Sequence, residues 1–166
     1  AVSGGFCSNF IHRLRPGDCI QVEGPYGDFR LADGSQRDIL MIATGTGISP
    51  IKSMLLSLLG QTGTRRIRLF FGLRNVSDLF YTNLLSDLRE THPWFEPTII
   101  LSQPDPIGWP GLRGRVTDLI REQVSADEAS NTDAYLCGGR PMIEEAKRLL
   151  IHKGMKVDRI RHENFF

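Results

Sequence analysis

From residue 39 onward, short apolar runs alternate with segments in which apolar residues recur every three or four positions. The runs are Ile39–Ala43, Ile67–Phe71, Thr98–Leu101, Ala134–Cys137 and Val157–Ile160. Continuous apolar stretches of strand length read as strands buried on both faces. Between them Ile51, Met54, Leu55, Leu58 and Leu59 share one helical face, as do Tyr81, Leu84, Leu85 and Leu88, and then Met142, Ala146, Leu149 and Leu150. Helix starts are expected at Ser49-Pro50, Ser77-Asp78 and Thr117-Asp118, with Pro141 at a first helical position and Gly154 as a C-terminal cap. Strands alternating with helices predict an α/β fold with a doubly wound, parallel, five-stranded sheet.

The first 32 residues follow a different rule. Asp18-Cys19-Ile20-Gln21-Val22-Glu23 alternates with period two, Pro16-Gly17 precedes it, and Gly24-Pro25-Tyr26-Gly27 is a turn signal. The segment reads as the end of an antiparallel β-barrel. Roughly five strands are usual for such a barrel, so the expectation is a chain that carries only its remnant, residues 1–32. A polar link, Asp33-Gly34-Ser35-Gln36-Arg37, leads into a second unit, residues 33–166.

Composition narrows the function classes. With 166 residues, a formal charge of +1 and a pI near 8.0, the chain has no basic stripe suited to nucleic acid. No apolar stretch approaches the roughly 20 residues of a membrane span. Cys7, Cys19 and Cys137 are scattered, with no Cys-x-x-Cys pair and no histidine at ligand spacing, so no metal site is expected and a reducing cytoplasm is.

In a doubly wound sheet ligands collect at the carboxyl ends of the strands. The first strand runs into Gly45-Thr46-Gly47-Ile48-Ser49-Pro50, where glycines admit a ligand to the backbone and a helix start offers unpaired amides to a phosphate. A plain strand-to-helix turn gives the same spacing, and the dinucleotide fingerprint with a third glycine is absent. The fourth strand runs into Cys137-Gly138-Gly139-Arg140-Pro141-Met142, a second glycine gap before a helix. Two such gaps on one sheet edge point to an elongated ligand. On spacing alone Cys137 also fits a small core residue, and Arg140 either favours a pyrophosphate or faces water.

In order and at matching distances, Gly45-Thr46-Gly47-Ile48-Ser49-Pro50, "FFGLRNVSDLFY" at 70–81, "LSQPD" at 101–105, "GLRGRVTDLI" at 111–120 and "CGGRPM" at 137–142 resemble the pyridine-nucleotide-binding domain of ferredoxin-NADP reductase-like flavoenzymes. Within that superfamily the chain is most similar to reductase components of bacterial oxygenases and to NADH-dependent ferredoxin or flavodoxin reductases. The resemblance implies an oxidoreductase that passes a hydride from NADH (NADPH being possible) to FAD in the full-length protein, and then electrons to a ferredoxin, flavodoxin or oxygenase component. It makes residues 33–166 the NAD(P)-binding domain and residues 1–32 the end of the FAD-binding barrel, where Gly5 and Ser8 lie in the segment that holds the FAD pyrophosphate. The family's Arg-x-Tyr-Ser flavin segment does not occur in the chain.

By the same resemblance Thr46 and Cys137 line the nicotinamide pocket, Gly45, Gly47 and Gly138 open the backbone to the pyrophosphate, and Ser49, Pro50, Gly139 and Met142 are counted among the cofactor-binding residues. Glu163 matches the family's acidic position and is assigned, with Cys137, to the catalytic centre. Phe165 and Phe166 stand either beside the rings or in core packing. Ser102-Gln103 occupies the place of a Ser-Arg pair that grips a 2′-phosphate, which favours NADH, although Arg74 or Arg113 is able to reach the same spot; Arg74 otherwise contacts the adenosine side or faces solvent. A binding-only module, in which a reductase fold senses nucleotide or docks a partner, is the competing reading.

Overall fold

The computed structural model describes residues 5–24, 26–60, 65–104 and 108–165, with the backbone alone for Ser8. Phe166 and the Ser8 side chain therefore lie outside the described residues.

Six parallel strands form one sheet in the order β4-β3-β2-β1-β5-β6. They are β1 (Asp38–Thr44), β2 (Ile67–Leu73), β3 (Phe95–Leu101), β4 (Leu112–Arg113), β5 (Thr132–Gly138) and β6 (Ile160–Asn164). Every residue of β2 and of β5 is buried, which is why both read as mainly apolar runs and not as alternating ones, with Arg68 in β2 and Thr132 and Asp133 in β5 as buried polar exceptions. The helices are α1 (Phe6–Arg13), α2 (Ile48–Leu59), α3 (Thr82–Thr91), α4 (Val116–Gln123), α5 (Ala126–Ser130) and α6 (Arg140–His152). Two apolar layers result. Ile51, Leu55 and Leu85, from α2 and α3, pack with Met41, Leu69 and Phe71 on one face of the sheet. Leu119, Ile143 and Leu150, from α4 and α6, pack with Leu40, Phe70 and Leu136 on the other.

Several expectations need correction. The sheet has six strands, not five: Leu112–Arg113 pairs in parallel with Ile100–Leu101, and two exposed residues carry no periodicity to detect. The last strand is Ile160–Asn164, because Val157–Arg159 is a 3₁₀ turn and only Ile160 of the expected run joins the sheet. Helix α2 starts at Ile48, with Gly47 and not Ser49 at its cap. Asn75 and Asp78 form a capping box on a 3₁₀ turn at Val76–Asp78, and α3 begins only at Thr82 after Tyr81 adopts a left-handed φ of 60°. Helix α4 starts at Val116, so Thr117 sits inside it, and the Asp118 carboxylate accepts from the Arg115 amide at 2.8 Å.

Residues 18–23, expected as a strand, pair with none among the described residues and are exposed. An alternating segment becomes a strand only where a neighbour completes its hydrogen bonds. Just before it, α1 is helical, with Phe6, Phe10 and Ile11 exposed on it. Residues 29–35 turn back over the amino end of the sheet: the Ala32 amide donates to the Tyr135 hydroxyl at 2.9 Å, Ser35 donates to buried Asp133, and the Phe29 and Tyr135 rings meet at 6.5 Å.

Candidate functional site

Chain order fixes where a site can form. From β1 the chain turns through α2 to β2 on one side, whereas β5 lies on the other side of β1 and leads through α6 to β6. A crevice opens where neighbouring strands send their connections to opposite faces. A cavity of about 640 Å³ occupies that place, along the carboxyl ends of the strands. Its walls run from Gly138 at the end of β5 to Arg115 after β4, four strand spacings of about 4.8 Å, or roughly 19 Å.

At the β1/β5 end the wall consists of Thr44, Gly45, Thr46, Gly138, Gly139, Pro141, Met142 and Phe165. Gly45 holds φ +54°, a left-handed conformation that costs a glycine nothing, and begins the 3₁₀ turn that feeds α2. Gly138 is needed for a different reason: a methyl group on it would overlap Thr44 Oγ1 and lie 2.8 Å from Met142 Cε. Backbone is thus bare on both sides of the crevice, with the N-termini of α2 and α6 next to it. The Phe165 amide donates to the Gly138 carbonyl at 2.9 Å, and this bond carries the ring at the chain's end to the cavity wall.

At the other end stand Arg74 after β2, Ser102 after β3, and Gly114 and Arg115 after β4. The Arg74 side chain is exposed and makes no ion pair among the described residues. Phe80 forms part of the same wall and meets Phe71 edge to face at 5.4 Å. Between the ends, Gly72 lets α4 approach, since a methyl group there would lie 2.8 Å from Val116 Cγ1 and 3.2 Å from Thr44 Cγ2.

Of the residues expected from sequence, Gly45, Thr46, Arg74, Ser102, Gly138, Gly139, Met142 and Phe165 therefore line one cavity. Gly47 lies beneath it: the residue is buried, and a methyl group there would overlap the Cys137 carbonyl. Cys137 is fully buried and is not part of the wall, nor are Ser49, Pro50 and Gln103, although the Gln103 amide bonds the Arg74 carbonyl at 2.8 Å. Burial pushes the Cys137 thiol up to about 11, and the charge of Glu163, its partner in the β5–β6 register, adds to the rise. A thiol held protonated is a poor nucleophile, so Cys137 supplies shape and not attack. Glu163 itself is exposed. Gly5 caps α1, away from the cavity, and the Ser8 backbone belongs to the same helix. Among the described residues no cluster of histidine, cysteine or carboxylate side chains can hold a metal.

Sequence reasoning did not find Thr44, Gly72, Phe80, Thr117 or Glu145. Gly72 carries a usable signal, a lone glycine at the end of a buried run, and Thr44 closes β1; Thr117 and Glu145 line the wall because α4 and α6 lie across the sheet there.

Residues 41–148 match the family model described as the oxidoreductase NAD-binding domain. Among curated proteins the chain is 37% identical over 168 residues to the reductase component DmpP of phenol 2-monooxygenase from Pseudomonas sp. strain CF600, covering 99% of this chain and 47% of the relative. It is 33% identical to ferredoxin–NADP reductase B of Sorangium cellulosum, over 89% of this chain and 62% of that protein. The chain thus spans about half the length of the phenol monooxygenase component it matches. Among solved structures, the Amycolatopsis cytochrome P450 reductase GcoB superposes with a TM-score of 0.77 at 29% identity, over 86% of this chain and 42% of that one. Plasmodium falciparum ferredoxin-NADP+ reductase with 2′P-AMP superposes with a TM-score of 0.78 at 26% identity, over 97% of this chain and 66% of that one.

Proposed function

This chain belongs to the oxidoreductase NAD-binding domain family, and from that premise we propose that it is the nucleotide-binding part of an FAD-dependent reductase that takes a hydride from NADH. The observation that carries the reading is the cavity between two bare-backbone turns, Gly45–Gly47 and Gly138–Gly139, at the point where the sheet's connections diverge. The wall fits a dinucleotide: glycines without side chains stand where a diphosphate would need backbone amides, and the helix N-termini beside them favour negative charge.

The nicotinamide supplies the hydride and the flavin receives it; the protein's residues position and enclose them. In this reading Gly45, Gly138 and Gly139 bind the diphosphate, and Thr46 and Met142 border the nicotinamide. Phe165, tied through its amide to Gly138, covers the ring and excludes water from it. Cys137 backs the pocket from below, with Glu163 beside it on β6. Gly5 and Ser8 belong to the flavin side, with residues 1–32 as the end of the FAD-binding barrel and 33–166 as the nucleotide domain.

NADH is favoured over NADPH because Gln103 stands where an arginine would meet a 2′-phosphate; Arg74 and Arg115 are the exposed cations on that part of the wall. The acceptor is an oxygenase component, a reading supported by similarity to the phenol 2-monooxygenase reductase component. Three free cysteines support a reducing cytoplasm as the site of action; no helix among the described residues is long and apolar enough to cross a membrane.

The test uses the full-length protein. It should purify with FAD or be reconstituted by it, and should oxidise NADH in the presence of an artificial electron acceptor. A colourless protein that cannot be reconstituted and oxidises neither NADH nor NADPH overturns the reading in favour of a binding-only module.

A further inference from the structure

The cavity wall contains a polar atom that the fold leaves unpaired. Thr117 is the second residue of α4, is 2% exposed, and lines the cavity. Its Oγ1 is buried and is the one side-chain oxygen or nitrogen so placed without a hydrogen-bond partner among the described residues. A hydroxyl buried without a partner opposes folding, and a valine would fill the same space without that penalty.

The position of this hydroxyl indicates what would satisfy it. Val116 presses on Gly72 of β2, and Gly72 in turn touches Thr44 of β1, so the start of α4 stands over the middle of the trough, not at either end. The first amides of a helix have no partner inside it. Here the Arg115 amide is taken by Asp118, whereas those of Val116 and Thr117 occupy the first two helical positions, in residues that line the cavity. The neighbouring carboxylates do not make the spot acidic, because Arg121 pairs with both Asp118 and Glu145. A neutral donor set at mid-cavity suits oxygen acceptors.

We propose that the Thr117 hydroxyl and the first amides of α4 form a hydrogen-bonding subsite for the oxygens of the dinucleotide's central ribose–diphosphate stretch. This inference rests on the nucleotide reading of the cavity, and it assigns a positioning role to a residue that the sequence pattern marks only as a helix start within the 111–120 motif.

Thr117→Val and Thr117→Ser in the full-length protein, titrated with NADH by calorimetry and followed by thermal unfolding, test it. The valine variant should bind NADH roughly three- to tenfold more weakly, the usual range for one lost hydrogen bond, with an unchanged or higher Tm, since nothing in the unliganded fold pairs with the hydroxyl. The serine variant keeps the hydroxyl and should bind within about twofold of the parent, a margin well below the cost of a hydrogen bond. ADP and adenosine separate the two oxygen sources: weakening confined to ADP assigns the bond to a phosphoryl oxygen, and equal weakening of both assigns it to a ribose hydroxyl. A valine variant that binds NADH as tightly as the parent, or loses binding together with a fall in Tm, overturns the inference. Should the valine variant fail to fold, a folded serine variant with binding lost to the same three- to tenfold extent also overturns it. A parent protein that binds neither NADH nor NADPH defeats the nucleotide reading, whereas parent binding with an unaffected valine variant defeats this inference alone.

Discussion

At the scale of single residues, the glycines differ in what a side chain on them would meet. A methyl group on Gly47 would meet the backbone carbonyl of Cys137, which no rotamer change can move, whereas at Gly139 the nearest atom is Pro141 Cδ at 4.0 Å. Gly47→Ala should therefore cost about 2–3 kcal/mol of stability, as overpacking does, and Gly139→Ala little; urea unfolding of the two variants checks the contrast. Gln103→Arg should raise kcat/KM for NADPH roughly tenfold relative to NADH, the worth of one charge-assisted hydrogen bond. Unchanged selectivity would remove Gln103 from the discussion of nucleotide choice. Cys137 gives a pH prediction. Its folded value lies above the ordinary thiol value of 9.0, so the unfolded chain loses this proton first as pH rises. The stability it contributes is whole below pH 9 and disappears between there and about 11, with the slope reduced in Cys137→Ala. At neutral pH, alkylation of the folded chain should reach the exposed Cys7 and Cys19 and spare Cys137, as mass spectrometry would show.

At the scale of elements, one polar group ties the sheet to its helices. Arg68 on β2 is buried with its guanidinium over the Phe70 ring; it donates to Glu128 on α5 at 2.7 Å and to the carbonyl and side chain of Gln123 at the end of α4. Removing one partner of such a pair leaves a charge out of water without compensation. Glu128→Ala should cost about 3 kcal/mol, the low end of the range because the Gln123 bonds remain, and Arg68→Met with Glu128→Leu together should cost less than Glu128→Ala alone. Denaturant titration of the three proteins decides it.

Elements also show what was legible in the sequence and what was not. Strands β1, β2 and β5 and helices α2 and α6 are readable because they are buried or amphipathic over seven or more residues. Strand β4 and helix α5 are too short to show a period. Tyr81 hides the start of α3, since a tyrosine at φ 60° is held there by tertiary contacts, among them the Lys52 ammonium 4.4 Å from its ring centroid. The candidate site was legible as two glycine turns. Its middle was not, because Gly72, Thr44 and Val116 meet only after α4 has crossed the sheet.

At the scale of the whole molecule, residues 33–165 supply the buried residues of both apolar layers; Phe29 and Leu31 pack against one of them, and the described residues before those bury little. Phe6, Phe10, Ile11, Ile20, Val22 and Tyr26 are each more than half exposed. An apolar surface of this kind marks a contact with something else. If residues 1–32 complete a flavin-binding barrel, backbone amides of residues 6–13 and 18–23 should exchange slowly with solvent deuterium in the full-length protein and rapidly in the 166-residue chain. Equal exchange in the two would separate this segment from any barrel.

The sheet's outer strands differ from its centre in a way that bears on self-association. Any open sheet has two rims whose free amides and carbonyls can recruit a strand from another molecule. On one side that rim is β4, only two residues long; on the other it is β6, whose Arg161, His162 and Glu163 bring charge to the boundary. Crowded copies of this fold thus meet a stub at one border and charged side chains at the other, and neither offers the long, flat, greasy template on which fibrils are seeded.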